Sequence, residues 1–421
     1  MTDADPGDAA SGGAPIEHDG ADAPSAAVYR RRRIGAGAAL LAVVALVVGG
    51  LVVVVGGGGD DRAEPVETAP ATTSTTTTTT TVPPTTTTST TTTTTSTTTT
   101  TTTTTLPPPP TTILDGTGTP IWPPYEVKPP LEGIAALTGG PADAALSARP
   151  ILAVKIDNRS QGRPQWGLDA ADAMFEENVE GITRFVALFH TQLPDRVGPV
   201  RSARTGDLAL LAGMNRPVLG WSGGNPGVTR WVGSAAAAGV LVDFSAQSNP
   251  CYQRSSARRA PHNLLLDPAC AVATAPSPGP AYPLWAIDQT WRPSVAMQVS
   301  PDTSFQVGMD NLVAGWTWDP GRQVYLRSQN GSPHLAISGA QLAFDNVVEI
   351  ITAHPPSPVD VRSPNPVTVG FGAAVVHRDG QAIRGAWVRP SPYAPFTFID
   401  PATEEQIELD VGRTFVELVR A

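Results

Sequence analysis

Lysine is nearly absent from this chain. Of its 28 basic residues only Lys128 and Lys155 are lysines; the rest are arginines. The chain carries a net charge of −10, spread over its length, which argues against a nucleic-acid partner. Cysteine is just as scarce, with only Cys251 and Cys270. No cysteine lies near the apolar run described below, which excludes lipid attachment there. No G-x-S-x-G or S-x-x-K occurs, so the common serine-hydrolase patterns are missing. The histidines of the second half and centre, His190, His262, His334, His354 and His377, show no H-x-x-x-H spacing, which argues against a zinc site.

What is present is strongly segmented. Residues 1–29 are rich in Gly, Ala and acidic side chains and read as a disordered tail. Arg30 to Arg33 follow, and then an uncharged apolar run over residues 34–55. That run is long enough to cross a ~30 Å hydrocarbon core at about 1.5 Å per residue. The arginines predict a cytoplasmic N-terminus and a body outside the membrane; a cleaved signal peptide is the competing reading. Residues 60–112 are mostly Thr and Pro, cannot bury a core, and read as a stalk. A flexible stretch of that kind would separate its ends by ~35–40 Å.

The remaining chain divides by pattern. RPILAVKID (149–157) and GITRFVALF (181–189) read as strands. LDAADAMFEENVEG is ambiguous: a helix, or a strand from Ala173 to Val179. Thr205 to Met214 reads as a helix, and a Gly-rich turn, Ser222 to Gly227, precedes a small-residue helix. Strands alternate with helices, which predicts an α/β domain over 137–275. After Pro276 short strand-like runs are separated by turns such as Asn330-Gly331 and Asp379-Gly380, which predicts a β-rich domain over 282–421. Cys251 and Cys270, outside the membrane, predict a disulfide; two free buried thiols are the alternative.

The candidate site is basic. Its candidates are Asp157, Asn158, Arg159, Arg163, Arg184, Arg201, Arg204, Arg258, Arg259 and His262; Asp157, Arg201 and Ser222 to Asn225 fall at predicted strand ends, where α/β sheets tend to hold ligands. Guanidinium groups fork onto phosphate or carboxylate, and a helix start after Arg204 would add amide donors. The opposing reading is structural, since Asp169, Asp172, Glu176, Glu177 and Glu180 could neutralise these arginines. Convergence on an open cleft would mark a ligand site; a carboxylate against each arginine would mark the structural case.

RPILAVKIDN, GRPQWGLDAAD, EGITRFVALF, GPVRSAR and RRAPHN, with TWDPGRQVYLRSQNGSPH, HRDGQAIRGAWVRP and GRTFVELV, resemble the YerB-like lipoprotein family, built on the N- and C-terminal parts of a domain of unknown function, number 3048. The resemblance spans roughly residues 137–419. It implies an anchored body outside the membrane and no defined chemistry. The order KIDNR, GITRF, GPVRSAR, WSGGNP is also similar to the LytR-CpsA-Psr family. That likeness implies polyprenyl-phosphate or cell-wall polymer as partner, Asp157 as metal ligand or base, and Mg²⁺ as cofactor. The Pro-Val-Arg-Ser sequence departs from that family's Pro-Arg-Asp pattern, so whether any reaction is catalysed stays open.

Overall fold

The computed structural model describes residues 113–421. The tail, the apolar run and the stalk lie outside the described residues. No helix among the described residues is long and apolar enough to cross a membrane.

Seven strands precede residue 275: β1 (Leu152–Asp157), β2 (Ala173–Val179), β3 (Ile182–Phe189), β4 (Val218–Trp221), β5 (Val242–Ser245), β6 (Tyr252–Arg254) and β7 (Leu264–Leu266). Among them stand the helices α1 (Ala144–Ala148), α2 (Thr205–Leu211), α3 (Pro226–Ala237) and α4 (Pro268–Thr274). The rest, among the described residues, contains strands only. These are β8 (Gln298–Pro301), β9 (Ser304–Met309), β10 (Leu312–Asp319), β11 (Val324–Gln329), β12 (Ser332–Pro333), β13 (Ala343–Phe344), β14 (Asn346–Thr352), β15 (Pro356–Ser357), β16 (Asp360–Pro364), β17 (Gly370–Arg378), β18 (Gln381–Arg389), β19 (Thr397–Ile399), β20 (Gln406–Ile407) and β21 (Thr414–Arg420). The α/β character of the first half and the β-rich second half are both present. The ambiguous segment is a strand, β2, buried along its whole length. Burial on both faces removes the polar alternation that would have identified it.

The two halves share one sheet. Its twelve strands follow the order β20-β19-β18-β17-β14-β21-β2-β3-β1-β4-β5, with β8 beside β18. The last strand, β21, runs parallel to β2 on one side and to β14 on the other. A second sheet of five strands, β12-β11-β10-β9 with β13 beside β11, covers one face. Alternation along the strands sorts the core into two layers. Ala153, Phe175, Val186, Leu188 and Val416 meet α2 and α3 through Leu208, Leu211, Val228 and Val232. Val154, Met174, Phe185, Phe189 and Phe415 face the five-stranded sheet and meet Trp316 and Phe344. Each of these large side chains contributes roughly 1.5–3 kcal/mol through burial.

Turns follow the sequence. Asn330-Gly331 and Asp379-Gly380 all have positive φ, which a two-residue hairpin matching strand twist requires. The chain entering from residue 113 docks along α3: Trp231 Nε1 donates to Gly118 O (2.9 Å), Ser234 Oγ to Pro120 O (2.7 Å) and Tyr125 N to Ala238 O (3.1 Å).

Cys251 and Cys270 are bonded, with Cα atoms 5.7 Å apart. They close a loop that carries Arg258 and His262. Closing such a loop stabilises by about 3 kcal/mol on the chain-entropy estimate. Replacing both cysteines with serine should lower stability by about that amount in denaturant titration. A change under about 0.5 kcal/mol would mean that this loop is ordered without its staple.

Candidate functional site

The site forms where β1 ends. Residues 199–201 run beside that end: Asp157 N donates to Pro199 O (2.9 Å), and Arg201 N to Lys155 O (2.8 Å). This places Arg201 next to Asp157, with Nε 3.5 Å from Oδ2. The stapled loop brings His262 to the same carboxylate, with Nδ1 2.6 Å from Oδ2. Arg159 N donates to Asp157 Oδ1 (3.1 Å). Asp157 is fully buried. Next door, Gly223 bends the chain after β4 at φ +86, and a Cβ there would come within 3.1 Å of Ser202 Oγ.

Strand register supplies the third arginine. Arg184 on β3 stands directly opposite Asp157 on β1 and Glu177 on β2. Directly opposite side chains share a face. Yet Arg184 forms no ion pair with either neighbour among the described residues. Asp157 is taken by His262 and Arg201, and Glu177 by Lys155. Its hydrogen bond is to Ser202 O, 3.2 Å from Nη1. The side chain is only 4% exposed. Burial, and then the neighbouring charges of Arg204 and Arg201, pull its pKa down to about 10. Burial likewise lowers the pKa of Arg201. The Nε atoms of Arg184, Arg201 and Arg204 are sealed from solvent without hydrogen bonds. By contrast both Nη atoms of Arg201, Nη2 of Arg184 and Nε2 of His262 make no hydrogen bond among the described residues and are not sealed. Donors that are unbonded and open face whatever enters.

Beneath this layer lies an ion triad. Lys155, fully buried, contacts Glu177 and stands 2.7 Å from Asp207 Oδ1. It was missed in the sequence, although it lies two residues before Asp157 and so on the same face of β1. Asp207 also accepts Arg204 N–H at 2.7 Å. The helix start is thus capped by its own carboxylate, and α2 spans only seven residues. Of the amides at this helix start, that of Arg204 is already taken.

The other candidates separate. Asn158 points to the opposite face, where Nδ2 donates to Glu176 Oε1 (3.1 Å) and Thr183 Oγ1 (2.7 Å). Arg163 belongs to the same far side, near Arg327 and Glu176, and burial lowers its pKa. Arg258 donates to the carbonyls of Gly162 and Pro164 and lies 4.2 Å over the Trp166 ring. Arg259 is exposed, and its carbonyl accepts from His262 N (3.0 Å). Arg204 pairs with Glu180 at 3.0 Å.

A Mg²⁺ site does not fit. Among the described residues no group of three or more His, Cys, Asp and Glu side chains could hold a metal ion. Asp157 faces an imidazole and a guanidinium rather than other carboxylates. Its geometry is that of a carboxylate orienting a histidine.

The comparisons with known proteins agree with this architecture. Residues 137–279 match the family model "Protein of unknown function (DUF3048) N-terminal domain", and 304–416 match its C-terminal domain. The chain is 29% identical over 269 residues to "Putative lipoprotein YerB" of Bacillus subtilis (strain 168), covering 60% of this chain and 77% of the relative. The crystal structure of the YerB protein from Bacillus subtilis shares the fold, with a TM-score of 0.57 and 22% identity over 68% of this chain and 96% of that one. With both halves matched in order across most of the body, this chain belongs to the YerB-like DUF3048 family.

Proposed function

We propose that this chain is a membrane-associated protein of the cell envelope whose body stands outside the membrane and binds an anionic, phosphate-bearing ligand through Arg184, Arg201 and His262. The relative named as a lipoprotein supports the compartment. In this chain residues 34–55 take the place of a lipid as the anchor, with the stalk of residues 60–112 beyond it. The observation that carries the ligand reading is Arg184: a nearly buried guanidinium, opposite two carboxylates that are already engaged. A buried charge without a partner is costly, and an anion would complete it.

The test is calorimetric titration of the full-length chain in detergent with inorganic pyrophosphate and with undecaprenyl phosphate. Both should bind, and Arg201→Ala should weaken binding at least tenfold, the size of one lost charge-assisted hydrogen bond of about 1.5–3 kcal/mol. Tighter binding of the lipid phosphate would assign the source of the anion.

A second reading draws on the pairs Arg204–Glu180 and Arg201–Asp157. In it the arginines only lock the turn, and the body is an interaction module. That reading predicts no binding of either anion, together with a clear fall in Tm for the Arg201→Ala/Arg204→Ala double variant. The transferase alternative shares only the phosphate chemistry.

A further inference from the structure

A polar cavity of ≈ 350 Å³ opens on the other face of the main sheet, beside the five-stranded sheet. Its size falls within the roughly 300–1,000 Å³ of small-molecule sites. At its floor is His377, 2% exposed. Its Nε2 lies 3.0 Å from Glu349 Oε1, and its ring stacks on Phe305 at 3.6 Å. Nδ1 lies 2.9 Å from Asp302 Oδ2, an ion pair off the line of a well-formed hydrogen bond. Burial works against a charged imidazole here, but the two carboxylates outweigh it and hold the pKa of His377 above its ordinary value.

Each carboxylate gives one oxygen to His377. The other oxygens, Asp302 Oδ1 and Glu349 Oε2, make no hydrogen bond among the described residues and are not sealed. They are open acceptors in a concave site. Carboxylate oxygens left open in this way accept from an ammonium group. Arg384 lies at the rim, exposed and without an ion-pair partner among the described residues. The register fixes its distance. Glu349 on β14 lies opposite Val375 on β17, which lies opposite Arg384 on β18. The three share a face, and two strand spacings separate the charges by about 10 Å. An extended tripeptide spans about that length, at ~3.3–3.6 Å per residue.

We infer that this cavity binds a short zwitterionic peptide, its ammonium between Asp302 and Glu349 and its carboxylate on Arg384. The site is independent of the arginine cluster at the end of β1.

Calorimetric titration of the full-length chain in detergent with triglycine, glycine, methylamine and acetate tests the assignment. Triglycine should bind, and glycine should bind at least tenfold more weakly, because its charges are too close together to reach both ends. Methylamine and acetate, with one charge each, should be weaker still. Glu349→Gln and Arg384→Ala should each cost at least tenfold in triglycine affinity. Arg384 is exposed, so its variant should keep the wild-type melt, and a change in binding there reports the ligand. Absence of triglycine binding at millimolar concentration would overturn the inference. So would equal affinity for glycine or methylamine, or triglycine affinity unchanged in both variants.

Discussion

Deleting Thr414–Ala421 should abolish cooperative folding of the body. Strand β21 is the last element of the chain, yet it occupies the middle of the twelve-stranded sheet. It pairs with β14 from Asn346↔Thr414 to Thr352↔Arg420, and with β2 from Ala173↔Thr414 to Glu176↔Glu417. Phe415, Val416 and Leu418 are fully buried, in both core layers. Losing these three side chains costs roughly 1.5–3 kcal/mol each. The deletion also strips two buried strand edges of their partners, and unpaired buried backbone groups carry a further penalty. A domain's whole stability is about 5–15 kcal/mol. The truncated chain should therefore show no cooperative thermal melt by circular dichroism and rapid proteolysis throughout residues 137–413. A sharp melt with native near-ultraviolet signal would show that the two halves hold together without their shared strand.

Replacing Lys155 with alanine should cost roughly 3–5 kcal/mol, because removing one partner of a buried ion pair leaves uncompensated charge. Lys155 is the cation between Glu177 and Asp207, and all three side chains are at most 1% exposed. For a body of this size the loss should read as a Tm drop on the order of 10 °C. It should also depend on pH. Burial, and then Asp207, push the pKa of Glu177 up to about 7, against the smaller opposing pull of Lys155. A carboxyl whose folded pKa is raised binds its proton more tightly when folded. Its contribution is therefore fully present below its unfolded pKa, near 4.5, and is lost as pH rises through about 7. In the variant the carboxylates lose their paired cation, so the deficit should be larger at pH 8 than at pH 5. Melting curves at the two pH values decide this. A deficit equal at both would remove Glu177 protonation from the account.

Much of the fold was legible because strand chemistry is local. Apolar β-favouring runs marked β1 and β3, and Asn330-Gly331 and Asp379-Gly380 marked the β11–β12 and β17–β18 hairpins. What could not be read was partnership. The placement of β21 between β2 and β14 pairs Thr414 with Ala173 on one side and Asn346 on the other, both far along the chain, and parallel pairing leaves no turn between the partners to announce it. The site divided along the same line. Arg201 beside Asp157 follows from short segments at one strand end. The contact of Asp157 with His262 crosses 105 residues and depends on the stapled loop. Asn158 could have been separated from Asp157 by alternation alone, since neighbours on a strand face opposite ways. Lys155 could have been found by the same rule. His377 carried no signal, because its carboxylates come from separate segments and meet only when the two sheets pack.

One further consequence concerns force. The chain arriving from residues 60–112 does not enter the body at a free end. It is sewn to α3 at Gly118, Pro120 and Tyr125. Asn225 caps that helix, immediately after the loop in which Ser222 N donates to Arg201 O (2.9 Å). If residues 34–55 anchor the chain as proposed, tension would load these hydrogen bonds first and would reach the rim of the arginine cluster through α3, so the docked segment would have to peel before the rest of the body takes the load.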